Sequence, residues 1–262
     1  MYEMNNGEMG IGLQLYTLRD DMEANFEETL RQVASLGYQG VEFAGYYGKS
    51  AEEIRDLLVK LNLTTIGSHV GFTRLRDNLD QEIEFLKIIG GKFIICPGIP
   101  AENRKTAEDW KQLFVFFEDI GSKVREQGLQ FGYHNHWFEF DIQVDNHFAY
   151  DALFAATTSE AVQVEMDVCW IQYAGQDPLA YIKKYSGRIP LLHLKDYTVD
   201  EQNNRQTLEL GQGQVQLKEV VAAAAEAGVK WLIIEQDQCQ NPPLVSVANS
   251  LTWLINHNLV KK

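Results

Sequence analysis

The chain is short of cysteine, of basic charge and of long apolar runs, and each shortage excludes something. Its three cysteines, Cys96, Cys169 and Cys239, are scattered and form no C-x-x-C pair. No disulfide framework is expected, and a reducing, cytoplasmic compartment fits best. Lys and Arg number 23 against 37 Asp and Glu, a net charge of −14. That balance argues against a nucleic-acid partner, because such proteins present a basic face to phosphates. No apolar stretch reaches the roughly 18 residues of a membrane span. The opening MYEMNNGEMG lacks the basic-then-apolar pattern of a leader. Neither a G-x-S-x-G elbow nor a G-x-x-x-x-G-K phosphate loop is present. Gly211-Gln-Gly213 is a short turn that carries no chemistry alone.

What is present is a repeated alternation. Short β-type runs are predicted at Ile11–Tyr16, Gly40–Phe43, Thr64–His69, Lys92–Cys96, Leu129–Asn135, Val162–Asp167, Pro190–Leu194 and Trp231–Glu235. Helical patterns fall between them. Ser50 and Glu53 make a capping box, followed by Ile54, Leu57, Leu58 and Leu61 at helical spacing. Glycine stops helices at Leu36-Gly37, Gln127-Gly128 and Ala227-Gly228. Eight such units in 262 residues predict an α/β (β/α)8 TIM barrel, a single domain over residues 1–262. The runner-up, an open doubly wound sheet, wants a glycine-rich first turn, and Leu15 to Asp20 has none.

A barrel of this kind builds its site at the C-terminal strand ends. Those ends read Tyr16 with Arg19; Glu42; His69; Cys96; His134 and His136; Glu165 and Asp167; His193 and Lys195; Glu235 and Asp237. The opposite ends are mostly glycine and apolar. Alternation puts His134 with His136, Glu165 with Asp167, and His193 with Lys195 on shared faces. Charges converging inside a barrel must be paired, hydrogen-bonded or bound to a cation. One divalent metal resolves this, with Mn, Zn, Co or Fe suited to mixed nitrogen and oxygen donors and Mg less so. Each residue also has a plain structural use: Asp167 as a helix cap, Lys195-Asp196 as a solvated turn, Glu235 as half of a surface pair. His147 and His257 fall in helical segments and read as structural. Cys169 reads as a buried, inert thiol rather than a nucleophile.

The stretches QLYTLRD, YHNHWFEF, VEMDVCW, LLHLKDY, GQGQV and IIEQD resemble, in order and spacing, the xylose isomerase-like barrels of the sugar phosphate isomerase/epimerase group. Ketose 3-epimerases, inosose dehydratases and abasic-site endonucleases belong to the same wider group. The resemblance implies a metal held by Asp167, His193 and Glu235, with His134 as fourth ligand and His136 or Glu139 as alternates. It departs from the epimerase pattern at strand five, where a glutamate is usual and His134 stands. An epimerisation worked by two carboxylates is therefore not assumed.

The expected function is a metal-dependent sugar isomerase or epimerase acting on a small keto-sugar or sugar phosphate. It would remove a proton next to a metal-bound carbonyl. An inosose dehydratase-like enzyme or a 3-keto-glycoside lyase is the alternative; a non-catalytic sugar-binding subunit and an endonuclease follow. Glu139, Glu165 and Glu235 are candidate bases, with Lys195 and His136 as proton carriers. Arg19, His69, His136 and Trp170 are candidate substrate contacts, Trp170 by stacking on a sugar and Arg19 or Lys195 by binding a phosphate. A small sugar or polyol is the expected partner, with homo-oligomerisation left open.

Overall fold

A computed structural model describes residues 9–202 and 204–260. Met1–Glu8, the first eight residues of the stretch read for a leader, lie outside them, as do Asn203, Lys261 and Lys262. Eight parallel strands close into a barrel: β1 Gly10–Gln14, β2 Gly40–Phe43, β3 Thr64–His69, β4 Phe93–Cys96, β5 Gln130–His134, β6 Gln163–Asp167, β7 Leu191–Leu194 and β8 Trp231–Ile234. Each strand pairs with its neighbours in sequence, and β8 closes on β1. The ring of helices is α1 Arg19–Leu36, α2 Ala51–Leu61, α3 Phe72–Ile88, α4 Ala107–Glu126, α5 Ala149–Ala156, α6 Val168–Tyr173, α7 Pro178–Lys184, α8 Leu217–Ala227 and α9 Pro243–Asn256. None of the described helices is long and apolar enough to cross a membrane.

Local chemistry sets these boundaries. The Ser50 hydroxyl accepts from the Glu53 amide, and the Glu53 carboxylate accepts from the Ser50 amide, so both ends of the expected box are made. Thr106 and Asp109 repeat the device at α4. Gly37 and Gly228 end α1 and α8 with positive φ. The first strand was expected to run to Tyr16. It ends at Gln14, and a 3-10 turn over Leu15–Leu18 carries the chain outward. His147 lies in a two-residue strand rather than a helix, paired with Gln143–Val144. The Asp196–Val199 and Arg205–Leu208 hairpin above β7 is a further excursion that strand periodicity did not announce.

The barrel interior is divided by polarity. Its floor is apolar: Ile66, Phe93, Ile95, Leu191, Trp231 and Ile233 pack as a cluster separate from the outer core. The Trp231 ring fits because Gly10 and Gly40 face it. A Cβ at either would lie 2.5 and 2.9 Å from ring carbons. That explains why β1 and β2 begin with glycine. The pairing of β2 with β3 slips between Val41 and Glu42. Ile66 and His69, three apart on β3, then serve the floor and the mouth respectively, which strict alternation would forbid.

Candidate active site at the barrel mouth

Inward alternation stacks the polar residues in two layers. Register pairs His134 with Glu165, and Asp167 with His193. In the deeper layer Glu165 Oε2 lies 2.7 Å from His69 Nε2, 3.0 Å from His134 Nδ1 and 3.3 Å from His193 Nε2. Glu42 Oε2 lies 2.9 Å from His193 Nε2 and 3.2 Å from His69 Nε2, and accepts from Gln14 Nε2 at 2.8 Å. In the upper layer His193 Nδ1 is 2.9 Å from Glu235 Oε2, and His134 Nε2 is 3.8 Å from Asp167 Oδ2. Lys195 Nζ reaches Glu235, Asp167 and Asp237 at 3.0, 3.1 and 3.2 Å.

Burial makes these charges interdependent. Burial raises the Asp167 carboxyl to about 6, although Lys195 pulls it down. Burial also pushes Glu235 up, but Lys195 and His193 more than offset it and hold the group well below the usual carboxylate range. Glu165 is raised by burial and by the neighbouring Glu42. His69 resists burial because Glu42 and Glu165 flank it, and its pKa rises to about 10. Lys195 is held firmly protonated: burial opposes the charge, and Asp167, Asp237 and Glu235 restore it.

Two overlapping donor sets emerge, with ligand atoms within 4.8 Å of one another: His69, His134, Glu165 and His193 below, and His134, Asp167, His193 and Glu235 above. The residues fit a divalent cation. The upper set offers two imidazoles and two carboxylates, a mixture suited to Zn, Mn or Co. Asp167 Oδ2 is buried with no hydrogen bond, although Lys195 Nζ stands beside it. Above this set opens a cavity of about 380 Å3, lined by Tyr16, His69, His134, His136, Glu235 and Asp237 among others. A larger groove of about 750 Å3 lies between α4 and α5 on the outer wall, remote from these groups.

Some expected site residues do not join the cluster. Glu139 turns behind β5 on the Phe138–Phe140 3-10 turn. Its carboxylate accepts from the Tyr133 hydroxyl at 2.6 Å and the His136 amide at 2.9 Å, so it braces the loop and does not face the cavity. Glu165 joins the cluster only in its deeper layer, fully buried beneath the imidazoles. Trp170, only 2 % exposed, is covered by His136, by the Arg205 guanidinium 3.9 Å from its centroid and by Lys195, leaving no open ring face for a sugar. His136 is itself sandwiched between Phe138 and Trp170, and Arg104 caps the far side of Phe138 at 3.4 Å. Burial in this stack, with Lys195 nearby, pushes His136 down to about 3, so it stands neutral. Arg19 donates to the carbonyls of Tyr16 and Asp237 and rests on the Tyr16 ring. Cys169 is buried and its thiol is pushed well up, as an inert group would be.

Three participants carried no assigned role in the sequence: Gln14, Glu42 and Asp237. Each is a polar residue at a strand end, the signal that marked their neighbours. Asp196 was read as half of a solvated turn. It is fully buried, and its carboxylate accepts from the amides of Tyr197, Gly211, Gly213 and Val215 at 2.8–3.0 Å. The GQGQV stretch is the loop drawn around that carboxylate. A Cβ at Gly213 would lie 2.2 Å from Asp196 Oδ1.

The chain as a whole is similar to known proteins. The chain is 25% identical to the inosose dehydratase of Lacticaseibacillus casei over 271 residues, covering 88% of this chain and 90% of that one. It is 25% identical to the inosose dehydratase of Bacillus thuringiensis (strain Al Hakam), covering 91% and 92%. A sugar phosphate isomerase/epimerase of Parabacteroides distasonis superposes with a TM-score of 0.79 at 26% identity, over 97% of this chain and all of that one. The profile of xylose isomerase-like TIM barrels matches residues 30–257. With its closed eight-stranded barrel and polar mouth, the chain belongs to the xylose isomerase-like TIM barrel family.

Proposed function

We propose that the protein is a divalent-metal-dependent enzyme that removes a proton next to the carbonyl of a small polyhydroxylated ketone. The observation that carries this is the buried His134, Asp167, His193 and Glu235 set opening onto a cavity at the small end of the usual ligand-pocket range of about 300–1,000 Å3. A cation held there supplies Lewis-acid polarisation of a carbonyl oxygen. Glu235, kept ionised and lining the cavity, is the proposed base. Asp237 follows it on the same wall and carries a buried Oδ2 with no hydrogen bond, which suits it to pass the proton on. Lys195 acts from behind, neutralising the carboxylates rather than meeting substrate.

The acidic groups stand on one side. The facing wall is His134 and His136, whose burial holds both imidazoles neutral, so neither offers the cationic acid that would return a proton from that face. Inversion of a carbon needs a competent group on both faces, whereas loss of a β-hydroxyl needs only one. This favours a dehydration of the kind named for the two inosose dehydratases over epimerisation. Proton return on the same face, an isomerisation, is the second reading, supported by the Parabacteroides relative. Arg19 and Lys195 are both engaged, which favours an unphosphorylated substrate.

Solvent deuterium exchange tests the proposal directly. The manganese-loaded protein is incubated in D2O with a panel of inososes and keto-sugars, followed by mass spectrometry. Deuterium beside the carbonyl, or an unsaturated product lighter by one water, is expected. No exchange and no product across the panel in a metal-replete protein would leave a sugar-binding role as the better account.

A further inference from the structure

His134 and His193 each present one ring nitrogen to the deep carboxylates and the other to the mouth. A neutral imidazole has one N–H and one lone pair, so only one tautomer of each ring can serve a cation at the mouth. We infer that Glu42 and Glu165 select those tautomers, holding His193 protonated on Nε2 and His134 protonated on Nδ1. The inference rests on the metal reading of the upper donor set.

For His193 the donor and acceptor identities follow from one fixed point. The Tyr16 backbone amide can only donate, and it donates to Gln14 Oε1 at 3.0 Å. Gln14 therefore turns Nε2 toward Glu42, and Glu42 Oε2 accepts at 2.8 Å. The same oxygen lies 2.9 Å from His193 Nε2, which must carry the proton. With a cation bound, the lone pair of His193 is then on Nδ1, the nitrogen that lies 2.9 Å from Glu235 Oε2 at the mouth. For His134 the sequence is shorter. Glu165 Oε2 lies 3.0 Å from Nδ1, so a proton on Nδ1 meets a carboxylate oxygen and the Nε2 lone pair is left toward Asp167. The two rings thus serve one site through opposite nitrogens. Glu42 and Glu165 are positioning residues: they orient the ligands and raise their basicity, as carboxylates behind metal-bound histidines do.

The test uses the full-length protein, stripped with chelator and reloaded with Zn2+. Long-range 1H–15N correlation of the zinc form should show His134 protonated on Nδ1 and His193 on Nε2. Competition against a chromophoric chelator should find one Zn2+ per chain. Glu165→Gln and Glu42→Gln should keep that stoichiometry with affinity about 10- to 100-fold weaker. Matching tautomers on the two rings, or unchanged affinity in both variants, would overturn the inference. So would two equivalents of zinc with one lost in Glu165→Gln, because Glu165 would then be a ligand itself. Failure of the unaltered protein to bind zinc at all would instead strike the metal reading beneath it.

Discussion

Lys195 Nζ lies 3.0 Å from Glu235 Oε2, and the lysine is 1 % exposed. A lysine that deep is stable only because three carboxylates converge on it. The pairing also works in reverse: the lysine keeps Glu235 ionised at the mouth of an acidic barrel. The site is therefore one coupled charge system.

Removing the cation exposes that coupling. Lys195→Met leaves three carboxylates without their buried partner, at an expected cost of about 3–5 kcal/mol in the chelator-treated protein. Urea unfolding of both proteins in the presence of EDTA measures it. A change below about 1 kcal/mol, the scale of a solvent-screened pair, would contradict the pairing of the buried lysine.

Glu139 offers a pH signature separate from the cluster. Burial raises its pKa to about 7 from an ordinary 4.5. A folded-state pKa above the unfolded value means stability fully present below pH 4.5 and lost as pH rises through 7. Glu139→Gln keeps an acceptor for the His136 amide and removes the charge. Its stability relative to the parent should rise between pH 5 and pH 8, by on the order of 3 kcal/mol. Melting temperatures across that range check this, and parallel curves for the two proteins would show that Glu139 does not titrate there.

Gly213 is predicted to tolerate no side chain. Gly213→Ala drives a Cβ into the Asp196 carboxylate and should cost about 1–3 kcal/mol. Hydrogen exchange should rise selectively at the Gly211, Gly213 and Val215 amides that Asp196 now holds. Unchanged protection there would mean that the clasp does not order the loop.

Much of this was legible along the chain, and the exceptions have physical causes. The period-two pattern and the glycine stops announced the barrel, and reading strand ends found His134, Asp167, His193 and Glu235 together. Glu42 went unassigned because its partner His193 is 151 residues away and becomes a neighbour only when the sheet closes. Gln14 was hidden by an overrun of β1, which placed Tyr16 at the strand end instead. Glu139 looked like a site residue by proximity to His136, but one 3-10 turn swings it behind the sheet. Asp196 looked solvated because a Lys-Asp pair usually is. Its burial depends on a loop 15 to 19 residues further on folding back over it.

The most direct measurement is metal binding by the chelator-stripped protein and by Glu235→Gln. Titration with Mn2+ should fill one site in the parent and raise its unfolding free energy by about 4 kcal/mol at a thousandfold excess over Kd. Glu235→Gln should stay folded yet gain little. No stabilisation of the parent by Mn2+, Zn2+ or Co2+, or equal stabilisation of the variant, would contradict a cation held between Glu235, Asp167 and the two histidines.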